Sequence, residues 1–145
     1  MFETIERIFI AVKDLDSSLK FFTDLLDVEF DVVGANDDLK IRGAYSPSGL
    51  ELIEPTADDS FLIKYLQKKG EGVVGIVLKV RDMDSAVKRL EEKGLKKTMD
   101  MRVGKMREVG FNPHDTHGVQ IVLAEYPAKH PATIAAWSVD GPEKK

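Results

Sequence analysis

The chain contains no cysteine. Disulfides, thiolate metal sites and cysteine nucleophiles are thereby excluded, and a reducing compartment such as the cytoplasm is the expected location. Long hydrophobic runs are also missing: no apolar stretch approaches the roughly 20 residues needed to cross a bilayer. The opening residues lack the basic start and apolar stretch of a secretion signal, in keeping with a cytoplasmic protein. Positive charge is in deficit, with 21 Lys and Arg against 25 Asp and Glu, a net charge of −4. That balance gives no electrostatic reason to expect nucleic acid or an anionic membrane as a partner. Histidine is scarce as well. His114 and His117 form the pair HDTH beside Pro113 and Gly118, a setting that suits a turn better than a metal centre, and His130 stands apart.

What is present is ordinary in bulk: 145 residues, 43% hydrophobic and 32% charged, suited to one compact domain or to two small halves sharing a core. The distinctive feature is a phrase written twice. Residues 12–22 read VKDLDSSLKFF and residues 80–90 read VRDMDSAVKRL. Val, Asp, Asp, Ser and Lys recur identically, while Lys13 exchanges with Arg81, Leu15 with Met83 and Leu19 with Val87. The agreement extends upstream, where IERIFIA matches VVGIVLK and Arg7 falls opposite Gly75. A repeat of this length argues for one structural unit made twice.

Residues 5–12 alternate and are rich in Ile and Val, so they predict a strand with Ile8, Ile10 and Val12 on one face and Arg7, Phe9 and Ala11 on the other. Asp14 or Asp16 can cap the helix that follows, whose Leu15, Leu19, Phe22 and Leu26 lie on one side. The segments VEFDVVG, LKIRGAY and LELIEP predict three further strands joined by turns. Residues 58–69 predict a linking helix, ended by Gly70 and Gly72. The second unit then repeats the order: a strand at VVGIVLKV, a helix at DMDSAVKRLEEKG, and strands near 95–100, 105–111 and 118–124. The expected organisation is a single domain, 1–145, with a first unit at 5–55, a linking helix at 56–72, a second unit at 73–125 and a tail at 126–145. One unit alone leaves a sheet face bare, so two are needed for a stable fold.

Four stretches carry a resemblance: IAVKDLDSSLKFFTDLL; ELIEP followed by DSFLIKYL; KKGEGVVGIVLKVRDMDSAVKRLEEKG; and NPHDTHGVQIVL. Over roughly residues 5–125 the chain resembles the vicinal oxygen chelate superfamily, also called the glyoxalase/bleomycin-resistance/dioxygenase superfamily, and within it the methylmalonyl-CoA epimerases. The resemblance implies an α+β fold of tandem βαβββ units forming a curved mixed sheet around a cleft. It also implies a homodimer. In the family, the first and last strands of each unit each send one ligand to a divalent metal that binds an oxygenated substrate. Carried over, the ligand positions fall at Arg7, Glu51, Gly75 and Val122. Only Glu51 can coordinate. A guanidinium has no lone pair to donate and keeps its charge in proteins, and Gly and Val offer no donor. A lone carboxylate does not hold a catalytic divalent ion, which usually has three protein ligands, so no metal and no other cofactor is expected.

Without a metal, two roles suggest themselves: Arg7 gripping a carboxylate, phosphate or thioester oxygen, and Glu51 moving a proton. A structural ion pair between the two is the bland alternative. Strand parity adds Phe9, Val77 and Gln120 as ligand-lining candidates, and the middle strands add Arg42, Tyr45, Arg107 and Phe111. Packing into core or surface is the competing reading for each. Gly75 and Val122 replace bulky polar ligands with small or apolar groups, which should enlarge and dry a pocket. Two functions therefore stay open. One is a metal-independent isomerase or lyase of the epimerase/glyoxalase type, acting on a small oxyacid or acyl-CoA. The other is a non-catalytic binder of drugs or aromatic molecules, of the bleomycin-resistance type. A third, a structural or regulatory partner with a vestigial cavity, is weaker. The partner in the first two is a small-molecule ligand.

Overall fold

Alternating Ile and Val at the start of the chain produce strand β1 (Phe2–Ala11), which leads through Lys13 and Asp14 into helix α1 (Leu15–Leu26). The computed structural model describes residues 1–103 and 105–127; His130 and the segment ATIAAW lie outside the described residues. Three strands follow, β2 (Val32–Asn36), β3 (Ile41–Tyr45) and β4 (Leu50–Pro55), then helix α2 (Phe61–Lys69). The order then recurs as β5 (Gly72–Val80), α3 (Met83–Glu92), β6 (Lys97–Val103), β7 (Met106–Phe111), a short 3-10 turn (Pro113–Thr116) and β8 (Gln120–Glu125). The expected α+β architecture of two βαβββ repeats is therefore present.

The chain divides into two compact units, Ile8–Val74 on one side and Met1–Arg7 with the described residues from Gly75 onward on the other. Within the first unit the strands lie in the order β2-β3-β4-β1, antiparallel except for the parallel pair β1 and β4. Helix α1 covers one face, where Val12, Leu15, Ala44 and Leu52 form the core with Ile10, Leu19, Phe22 and Phe30 around them. In the second unit the order is β5-β8-β7-β6, again with one parallel pair, β5 and β8. There α3 covers Leu78, Val80, Val109, Phe111 and Leu123. Burying one such side chain fully contributes roughly 1.5–3 kcal/mol, so each helix is held mainly by the stripe it lays on its own sheet.

The duplicated phrase turns out to encode a duplicated joint. Asp14 and Asp82, both in extended backbone, cap their helices by accepting from Ser17 N–H and Ser85 N–H. A second carboxylate reaches each first turn from the last strand of the repeat: Glu54 accepts from Leu15 N–H at 2.7 Å, and Glu125 from Met83 N–H at 2.6 Å. Negative oxygens at a helix N-terminus meet both the unpaired amides and the positive end of the dipole. An arginine from the middle of each sheet completes the joint. Arg42 binds Asp16 at 3.1 Å and Glu54 at 3.2 Å, and Arg107 binds Asp84 and Asp100, both at 2.8 Å.

Two strands are displaced from their expected places, for packing reasons. Val28–Phe30 stay outside the ladder because Phe30 is drawn onto the α1 core; pairing starts where Asp31 N–H donates to Tyr45 C=O. Strand β6 begins at Lys97 because Leu95 closes α3. Gly94, at φ 92°, lets the chain reverse so that Leu95 N–H donates to Leu90 C=O and Gly94 N–H to Glu91 C=O, with Leu95 packed on the core. The linking helix starts at Phe61 rather than 58 because the Ser60 hydroxyl caps it.

Replacing Glu125 with Ala removes a charged acceptor from the α3 start and should lower unfolding free energy by about 1.5–3 kcal/mol. Urea unfolding followed by circular dichroism measures it, and an unchanged midpoint would refute the second cap.

Candidate functional site

The face of each half-sheet turned away from its helix is set by strand alternation. In the Ile8–Val74 unit, Phe9 lies beside Glu51 across the parallel pair, and Tyr45 lies opposite Glu51 across the antiparallel pair. All three are buried. The structure thus brings Phe9, Tyr45 and Glu51 together on one face, a carboxylate flanked by two aromatic residues. Arg42, one strand position out of phase, faces α1 and is engaged by Asp16 and Glu54.

In the other unit Gly75 is in register with Gln120, Val77 with Val122, Gly110 with Val122 and Glu108 with Ala124. Gly75, Val77, Gln120, Val122 and Glu108 therefore share the face opposite α3. Arg107 and Phe111 do not. Phe111 is fully enclosed in the core beneath α3, and Arg107 spends its guanidinium on Asp84 and Asp100. Both acids hold the Arg107 charge firmly in place, and Arg107 in turn holds the Asp100 carboxyl below its usual range. Their positions fit structural work.

Arg7 is 5% exposed. Its guanidinium pairs with Glu6 on the same strand and donates to Glu108 Oε2 on β7 at 2.6 Å, and Glu108 is itself buried. Taking these charges out of water costs several kcal/mol each, which only close, directed contacts can offset. Glu6 and Glu108 were not among the residues singled out in the sequence. A signal for Glu108 exists: in MREVGF it is an acid whose same-face neighbours are Met106 and Gly110, so a buried strand there needs a polar partner for it.

The same charge cluster reaches Tyr126. Burial first, and then the negative charge of Glu6, push the Tyr126 hydroxyl up to about 12, while the Lys79 ammonium sits 4.4 Å from the ring centroid. A raised folded-state value means the unfolded chain loses this proton first, near pH 10. Stability from this group therefore declines as pH rises from about 10 toward 12.

The positions that a metal-binding relative would use do not fit a divalent ion. Arg7 is a fixed cation and Val122 is buried and apolar. Gly75 lacks a donor and has no room for one: a Cβ there would collide with the Gln120 backbone carbonyl oxygen and lie 2.6 Å from the Gln120 Cβ. The third position is thus closed by the backbone of its neighbour. Among the described residues no group of three or more His, Asp and Glu is arranged around a common point. His114 and His117 are exposed on the turn before β8.

Comparison with known proteins agrees with this architecture. The Glyoxalase/Bleomycin resistance protein/Dioxygenase superfamily profile matches residues 6–111. The chain belongs to this superfamily. The superfamily's α+β fold accounts for the two repeats. Among solved structures, a variant of Streptomyces coelicolor methylmalonyl-CoA epimerase in complex with 2-nitronate-propionyl-CoA superposes with a TM-score of 0.81. Identity is 29%, over 88% of this chain and 100% of that one. The methylmalonyl-CoA epimerase of Mycobacterium tuberculosis gives a TM-score of 0.80 at 29% identity, over 88% and 91%. A further relative, protein YqjC of Bacillus subtilis (strain 168), is 25% identical over 83% of this chain and 91% of its own length. This superfamily member is thus similar to methylmalonyl-CoA epimerases in fold and sequence.

Arg7→Met strands the buried Glu108 carboxylate and should cost roughly 3–5 kcal/mol, and Glu108→Gln added to it should recover part of that loss. Chemical unfolding of the single and double variants checks the coupling, and strictly additive costs would remove the pair. Absorbance titration of the wild type minus Tyr126→Phe should place the Tyr126 midpoint well above 10; a midpoint at 10 would mean that the ring is solvated.

Proposed function

We propose that this superfamily member binds a small oxyacid or acyl-CoA-type molecule, with Arg7 supplying the fixed positive charge and Glu51 serving as the proton-transfer group. The observation that carries the reading is the buried Arg7 guanidinium, held by Glu108 where the resemblance places a metal ligand. Removing a proton next to a thioester builds negative charge on its oxygen, and a preorganised cation in a dry setting stabilises that charge. Arg7 keeps its charge without loading from solution, and a substrate oxygen would share that guanidinium with Glu6 and Glu108. Similarity to epimerase structures that hold CoA ligands, 2-nitronate-propionyl-CoA in one and methylmalonyl-CoA in another, supports the ligand class. Glu51 is buried in register with Phe9 and Tyr45, a setting that would shield a proton transfer from bulk water. A homodimer and a cytoplasmic location complete the reading; no described helix is long and apolar enough to cross a membrane.

A second reading, a non-catalytic binder of apolar or aromatic molecules, is favoured by Val77 and Val122, adjacent, buried and apolar on the same face as Arg7's partner Glu108.

The two separate experimentally. Acyl-CoA thioesters should raise the thermal midpoint and exchange their α-proton for deuterium, and Glu51→Gln should slow exchange about 100-fold or more while binding persists. Exchange untouched by Glu51→Gln removes Glu51 as the base. Stabilisation by apolar drugs alone, with no exchange, favours the binder.

A further inference from the structure

The internal duplication offers a control within one chain. Helices α1 and α3 hold the same place on the same kind of sheet, with Leu15 matched by Met83 and Leu19 by Val87. On their outer sides they differ. Where α3 shows Arg89 and Lys93 to solvent, α1 shows Phe21 and Leu25, 58% and 61% exposed. The fold therefore needs no apolar group at these two positions. At i and i+4 they form one continuous strip on the helix.

Helix α1 also sits more openly on its sheet. Met83, Ala86 and Val87 are buried on α3, whereas Leu15 is the buried residue of α1, and Ser18 stands where α3 has Ala86. The result is a hollow of about 650 Å³ beside the strip, with Ile10, Val12 and Phe22 in its wall and Phe21 at its edge. The Phe21 and Phe22 rings meet edge to face, 5.2 Å between centroids, so the exposed ring is braced rather than free to fold away. Lys13, Asp14 and Glu71 also line the hollow, with Glu71 accepting from Lys13 N–H at 2.8 Å.

One patch thus carries a projecting aromatic ring, a recess to receive one, and charges of both signs. Those are the requirements of a contact that a surface makes with itself across a two-fold axis. We infer that the Phe21–Leu25 strip and the adjoining hollow are the surface on which a second copy of this chain docks. Each copy seats its Phe21 in the other's hollow and places Lys13 opposite the partner's acidic rim. Net acidity along α1, from Asp14, Asp16 and Asp24 against Lys20, disfavours an anionic membrane as the occupant. The inference rests on the homodimer part of the reading above and is independent of what the protein binds or catalyses.

The second repeat supplies the test. Phe21→Arg with Leu25→Lys gives α1 the outer residues that α3 already tolerates, so folding should be kept. Sedimentation velocity should show a dimer for the wild type and a dissociation constant raised about 30-fold or more for the double variant, with the unfolding midpoint of its monomer unchanged. In a chain without cysteine, Phe21→Cys should form a disulfide between copies under mild oxidation, whereas Arg89→Cys should not. A wild type that stays monomeric at all concentrations sinks both the dimer and this surface. A double variant that dimerises as tightly as the wild type, or equal cross-linking at 21 and 89, sinks the surface alone.

Discussion

A guanidinium cannot give up its charge, and this constraint organises the second half of the molecule. Once Arg7 is buried, carboxylates must accompany it, and Glu108 and Glu6 do so. Tyr126 lies near this cluster, and its proton is held more tightly by burial first and then by the negative charge of Glu6. A divalent ion would have demanded neutral or anionic donors, and Arg7, Gly75 and Val122 have side chains that offer none. The change is also not reversible by a single substitution: Gly75 lies so close to the Gln120 backbone that no side chain fits without moving the strand pair.

Duplication explains why so much of the structure comes in pairs. Each repeat joins helix to sheet through an aspartate cap, a glutamate from its last strand and an arginine from a middle strand. These joints face the helix layer, which leaves the opposite face of each half-sheet free to diverge. Divergence is what is seen there. One half presents Phe9, Tyr45 and Glu51, and the other presents Arg7, Glu108, Gly75, Val77, Gln120 and Val122. The same comparison isolates the outer side of α1, where aromatic and aliphatic residues replace the charges of α3 with no gain to the internal core.

Much of this was legible in the chain. The repeated phrase, the two aspartate caps and the helical spacing of Leu15, Leu19 and Phe22 specified both βαβββ units, because these are local signals of period and hydrogen bonding. Strand parity also put Arg7 with Phe9 on one face, and the alignment of the two repeats set Arg7 opposite Gly75. The misplaced ends of β2 and β6 had a common cause: Phe30 and Leu95 were claimed by helix cores, a demand invisible until the helices have a sheet to pack on. Arg107 and Phe111 were read as pocket-facing for want of a register, since a shift of one residue turns a strand over.

What the sequence determined by itself was the permanent charge of Arg7 and the lack of a donor on the side chains of Gly75 and Val122. Lone pairs and charge states belong to residue types, so no fold is needed to read them. Only the tertiary structure decided how that cation is satisfied. Glu108 lies 101 residues from Arg7 in the chain, and β7 brings it to 2.6 Å through strand pairings that no local pattern specifies.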